Sequence, residues 1–143
     1  MASQVLIVTA CGAKKKPGAH PAGQLYESPR IKALGRRCAQ GGWRYAIVSA
    51  KYGLVMSDTP IESYDQEMTA ERIPILLSQV SAALEPYSAV VYFQAGARRL
   101  YRELLEAACL KGGIPFFAFG TGFMGGINDL KKMVEKAMTT YNC

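Results

Sequence analysis

Val5-Leu6-Ile7-Val8-Thr9-Ala10 is a continuous β-branched, apolar run that breaks off at Cys11-Gly12. It does not alternate between apolar and polar residues, the pattern of a strand covered on both faces of its sheet. Three later runs share this character: Arg44–Ser49, Ala89–Phe93 and Ile114–Phe119. Helical patterns separate them. Ser28 to Gln40 opens with a capping serine and a proline at the first helical position, and stops at Gly41-Gly42. Thr69 to Leu84 repeats Ile73, Leu76, Leu77, Val80 and Leu84 at helical spacing, with Pro74 tolerable only in a first turn. Ala97 to Leu110 and Asn128 to Thr139 each carry one apolar face. The order β-α-β-α-β-α-β-α predicts an α/β fold in three layers. Its mostly parallel sheet has four to five strands, with helices on both faces, in one domain over residues 1–143. A short extra element near Ile61 stays open.

Size and composition agree with this. A chain of 143 residues is about one domain and can bury a core without disulfide or metal help. No apolar run approaches the ~18 residues that span a bilayer. The N-terminus lacks the basic start and small-residue cleavage site of a signal peptide. A cytoplasmic protein with no membrane partner is expected. The four cysteines show no CxxC spacing and His20 is the sole histidine, so reduced thiols, no metal site and no cofactor are expected. The net charge of +6 gathers at Lys14-Lys15-Lys16, Arg36-Arg37, Arg98-Arg99 and Lys131-Lys132, which points to an acidic partner.

Two loops are longer than connection requires, Cys11 to Glu27 and Ala50 to Met68. Both follow strands, and open α/β sheets bind ligands beyond the carboxyl ends of their strands. In the first loop, Cys11-Gly12-Ala13-Lys14 offers a flexible turn and ammonium groups for an anion. Pro17 after the lysines rules out a P-loop. Cys11 reads as a buried thiol before a nucleophile, and His20 as a loop tip before a general base. Tyr26 and Ser28 lie at the helix start, where free N–H groups suit an anion. Ser28 capping the helix is equally compatible.

The most informative stretch is Ser49-Ala50-Lys51-Tyr52-Gly53-Leu54, a hydroxyl, a cation, a ring and a glycine leaving the second strand. Tyr64-Asp65 and Glu62 follow. Either carboxylate can serve as a general base, and Asp65 can equally cap the next helix. Gln94 and Gly96 end the third strand, and Gly120 and Gly122 end the fourth.

Cys11-Gly12-Ala13-Lys14, Leu25-Tyr26-Glu27-Ser28, Ser49-Ala50-Lys51-Tyr52-Gly53-Leu54 and Tyr64-Asp65 together resemble the signature of an uncharacterised family. That family is loosely similar to the peroxide-stress protein YaaA and to proteins of modified-base metabolism. The chain departs from it at Ser63, where members often carry proline. The resemblance implies the place of a site and no particular reaction. The residues suggest an enzyme acting on a nucleotide, nucleoside or modified base, at an N-glycosidic bond. Asp65 or Glu62 is then the carboxylate. Lys14, Lys51 and the backbone near Ser28 hold phosphate, and Tyr52 and Tyr26 contact the base. The expected partner is a nucleotide-like or other anionic small molecule. The alternatives are a non-catalytic DNA- or RNA-binding protein and a small-ligand sensor.

Overall fold

The computed structural model describes residues 4–120 and 125–142. β1 (Val5–Ala10) is the central strand, as its unbroken apolar run requires. It pairs in parallel with β3 (Tyr45–Ser49) on one side and β6 (Ala89–Phe93) on the other. β7 (Phe116–Phe119) extends the sheet beyond β6, also in parallel. The fifth strand is β4 (Gly53–Met56), antiparallel to β3, giving the order β4-β3-β1-β6-β7. The sheet is therefore mixed, and β4 arises inside the stretch that the sequence reads as a loop. The three-residue turn Ala50-Lys51-Tyr52 reverses the chain, with Ser49 facing Gly53. Gly53 has φ +77°, and a side chain there would run into Gln79. Gln79 instead serves the outer edge of β4: its Oε1 accepts from the Leu54 N–H at 2.8 Å and its Nε2 donates to the Leu54 carbonyl at 2.9 Å. An edge strand is thereby closed by a side-chain amide.

The long loops hold further structure. β2 (Ala19–Pro21) and β5 (Pro60–Glu62) form a small antiparallel ribbon with His20 opposite Ile61. His20 thus lies on a strand, where its Nε2 is 2.9 Å from the Pro17 carbonyl oxygen, and not at a loop tip. α1 (Ala22–Leu25) buries Ala22 and Leu25.

Helices cover both faces. α2 (Pro29–Gly41) is capped by Ser28, whose hydroxyl accepts from the Ile31 N–H, and ends at Gly42 in the left-handed conformation. It continues one residue past Gln40. α2 and α5 (Leu130–Asn142) share a core with Ile7, Val91 and Phe119. α3 (Arg72–Leu84) and α4 (Arg99–Gly112) share the other with Leu6, Val8 and Tyr92. α3 starts at Arg72, after a turn at Thr69-Ala70, so Pro74 falls in its first turn as expected. α4 starts two residues later than its apolar pattern suggests, and a 3₁₀ turn, Ile127–Asp129, precedes α5. Among the described residues no helix is long and apolar enough to cross a membrane.

This topology fixes one place. The chain leaves β1 through α2 to reach β3, then returns through α3 to β6 on the far side of β1. Successive connections run on opposite faces, so the carboxyl ends of β1 and β6 border a crevice at the switch point.

Candidate functional site

A cleft of about 390 Å³ lies at this switch point. Gly12 and Cys11 border it after β1, Gly96 and Arg98 after β6, and Asp65 to Met68 from the loop before α3. Thr9 ties the strand ends beneath it by donating to the Phe93 carbonyl at 2.8 Å. Three cations line the cleft, Lys15, Arg30 and Arg98, against two carboxylates, Asp65 and Glu67.

Arg30 is the most constrained of the three. Its Nε donates to Thr9 Oγ1 at 3.1 Å, and its Nη2 to the carbonyls of Ala10 (3.0 Å) and Cys11 (3.1 Å). These bonds satisfy carbonyls that the sheet leaves free as β1 ends, and they hold the guanidinium beneath the cleft. Burial lowers its pKa, yet an arginine remains charged far above neutral pH. Arg98 is exposed and donates to the Met68 carbonyl at 2.9 Å. Lys15 stands 4.4 Å from the centre of the Tyr64 ring. Arg98 also precedes α4, whose start has no side-chain cap, so unpaired N–H groups add positive potential beside the cleft. The turn before it is strained: Ala95 has φ +35°, costly for a residue with a Cβ.

Cys11 is nearly enclosed, and its thiol donates to the Tyr101 hydroxyl at 3.2 Å. Burial, then the neighbouring Cys11, raises the Tyr101 pKa, so the phenol stays protonated. Its own proton is left for a group entering the cleft.

The other sequence candidates lie elsewhere. Ser49 and Tyr26 are fully buried, too deep to touch a ligand. Ser49 Oγ accepts the Lys51 and Tyr52 N–H groups, each at 3.1 Å, and donates to Tyr64 Oη at 2.8 Å. Tyr64 and Tyr26 share a hydrogen bond of 2.7 Å. The three hydroxyls form a knot that pins the β3–β4 turn to the first loop. Burial raises the pKa of both tyrosines, keeping the knot protonated. Tyr52 stacks edge-on against Tyr64 and donates to the Glu62 carbonyl at 3.3 Å. Lys51 is exposed over the Tyr52 ring. Gly53 shapes the β4 turn. Gln94 accepts from Arg102 at 3.0 Å, and the Cβ position of Gly120 falls 2.8 Å from the Phe93 ring. Ser28 caps α2. Lys14 and Glu62 are exposed and do not line the cleft. Gly122 lies outside the described residues.

Of the expected residues, then, Cys11, Asp65 and Gly96 meet in the cleft. Asp65 does not cap α3, which has no side-chain cap. Sequence reading passed over Arg30, Lys15, Glu67 and Tyr101 as site residues. Arg30 carried a usable signal, since it sits in the first turn of the helix that follows β1. Among the described residues, no three His, Cys, Asp or Glu side chains gather closely enough to hold a metal ion.

Fold and site define a three-layer α/β protein with a charged crevice at its switch point. The chain belongs to DUF6884, a family of unknown function whose profile matches residues 5–116. No curated protein matches it.

Proposed function

We propose that the cleft binds a phosphate-bearing nucleotide or modified nucleoside and that the protein hydrolyses its N-glycosidic bond. The observation that carries this reading is the composition of the cleft: three cations and the start of α4 beside two carboxylates and a protonated phenol, within about 390 Å³. That volume suits a small ligand. Arg30, Lys15 and Arg98 hold the phosphate, with Arg30 prepositioned by its three bonds. Asp65 accepts a proton from the attacking water and stabilises the cationic ribosyl centre. Glu67 takes the part of second carboxylate that sequence reasoning gave to Glu62. Tyr101 donates a hydrogen bond to the departing base, which takes its proton from solvent. The resemblance to YaaA-like and modified-base proteins, carried by the knot and the β1 loop, supports a base-bearing ligand.

The test is a thermal-shift screen of nucleotides, nucleosides and free bases, followed by product analysis with each binder. A mononucleotide should raise the melting temperature with concentration by mass action. Release of free base by the wild type and not by Asp65→Asn supports the reaction. Equal release by both defeats it, and binding without turnover by the wild type makes the protein a ligand sensor.

A further inference from the structure

A second cavity, about 370 Å³, lies between the last turns of α2 and the start of α5. Arg37, Gln40, Trp43, Asn128 and Lys131 line it. It is separate from the switch-point cleft: Arg30 and Gln40 are ten residues apart on one helix, or roughly 15 Å along its axis.

Trp43 is the only tryptophan in the chain and is half-buried. Its backbone N–H donates to the Cys38 carbonyl at 2.9 Å. A Cβ at Gly41 would overlap the benzo ring, so the glycine is what lets the indole lie against the end of α2. Arg37 Nη2 donates to Asn128 Oδ1, which links the two walls of the cavity. A planar ring, two amides and two cations thus meet in one recess.

The surrounding charge extends well beyond the recess. α2 and α5 carry seven cations, Arg30, Lys32, Arg36, Arg37, Lys131, Lys132 and Lys136, against one carboxylate, Glu135. The remaining ten cations of the chain are matched by ten carboxylates. With Arg30 turned to the switch-point cleft, five of the six net positive charges lie on the rest of these two helices, which cover the same face of the sheet. Solubility alone does not require such segregation. A stripe of cations follows a phosphate backbone, and an aromatic ring set in it takes an unstacked base.

We propose that the α2–α5 face binds single-stranded nucleic acid, with Trp43 stacking on one base and Arg37, Lys131 and their exposed neighbours contacting phosphates. A free mononucleotide reaches only the recess and leaves Lys32, Arg36, Lys132 and Lys136 unused. A duplex keeps its bases stacked and away from the indole.

Because Trp43 is unique, its emission reports on this face alone. The experiment titrates the protein with a twelve-nucleotide oligothymidylate at 50 and 200 mM NaCl. It is repeated with thymidine monophosphate, with a duplex of equal length, and with the Lys131→Gln/Lys132→Gln, Trp43→Phe and Arg30→Lys variants. Binding of Trp43→Phe is followed by anisotropy of a labelled strand. Saturable quenching by the oligonucleotide is expected, with about four phosphates contacted and affinity falling roughly 50-fold between the two salt concentrations. The double lysine variant, altered only at exposed side chains, should lose about 1.4 units of salt slope. Trp43→Phe should weaken binding while retaining that slope, and Arg30→Lys should change neither. Unchanged Trp43 emission at 50 mM salt overturns the proposal. So does equal affinity for the duplex or the monophosphate, or loss of quenching in Arg30→Lys.

Discussion

Two groups of polar side chains lie side by side at the carboxyl edge of the sheet, joined by Lys15. One is the cleft, where Arg30, Arg98, Asp65 and Glu67 surround open space. The other is the knot, where Ser49, Tyr64 and Tyr26 spend their hydroxyls on one another and on the backbone. Both contain residue types suited to chemistry. They differ in what their hydrogen-bonding capacity is used for. The knot is closed, so its bonds stabilise the turn that makes β4. The cleft keeps charges and a phenol proton free, so it can act on a ligand. Substitutions should accordingly separate: cleft variants alter function at constant stability, and knot variants the reverse.

The largest separation is expected for Asp65→Asn. It should reduce base release at least ~100-fold, the usual scale of a lost general base. Its melting temperature should match the wild type, because Asp65 is exposed. A comparable loss of stability would show that Asp65 belongs to the knot's framework.

Alkaline pH should act on the buried protonated groups. Burial pushes the Cys38 and Cys109 thiols up to about 12, from an ordinary value of 9.0, and raises Tyr26 and Tyr64 as well. The folded state thus keeps protons that the unfolded chain releases. Stability from these groups is complete below pH 9 and declines as pH rises towards 12. Denaturant midpoints should be flat with respect to these groups between pH 8 and 9 and fall above it. A midpoint unchanged at pH 11 contradicts this.

Ser49→Ala breaks the knot at its centre, leaving two partly buried N–H groups without their acceptor and the Tyr64 hydroxyl with Tyr26 alone. A loss of about 2–3 kcal/mol is expected in urea unfolding, with ligand-induced thermal shifts retained. Tyr26→Phe removes one hydrogen bond at the end of the knot and should cost about 1 kcal/mol. Tyr92→Phe is the control. Its hydroxyl is buried and has no partner among the described residues, so removal should be neutral or slightly stabilising in the same assay.

The contrast also explains what sequence could reveal. β1, β3, β6 and β7 were legible because continuous apolar runs survive any register, and α2 because serine, proline and glycine mark its ends. β4 was not. Gly53-Leu54-Val55-Met56 is short, and its pairing depends on the tight turn at Ala50-Lys51-Tyr52 and on Gln79 arriving from α3. The knot was misread for a related reason. Ser49 and Tyr64 are fifteen residues apart, and nothing local shows that their hydroxyls meet. Arg30 was overlooked because its partners are carbonyls, which leave no mark in sequence. Cys11 lies where its strand end brings it to the crevice, and Asp65 reaches the same cleft from the loop before α3.

The claim that the switch-point cleft is the ligand site is tested most directly by thermal-shift titration of the wild type and Arg30→Lys with nucleoside monophosphates. At least one should raise the wild-type melting temperature in step with the logarithm of its concentration. Arg30→Lys, which keeps the charge and loses the fork of hydrogen bonds, should lose most of that shift. An equal shift in both proteins, or none in the wild type with any monophosphate, would contradict the account.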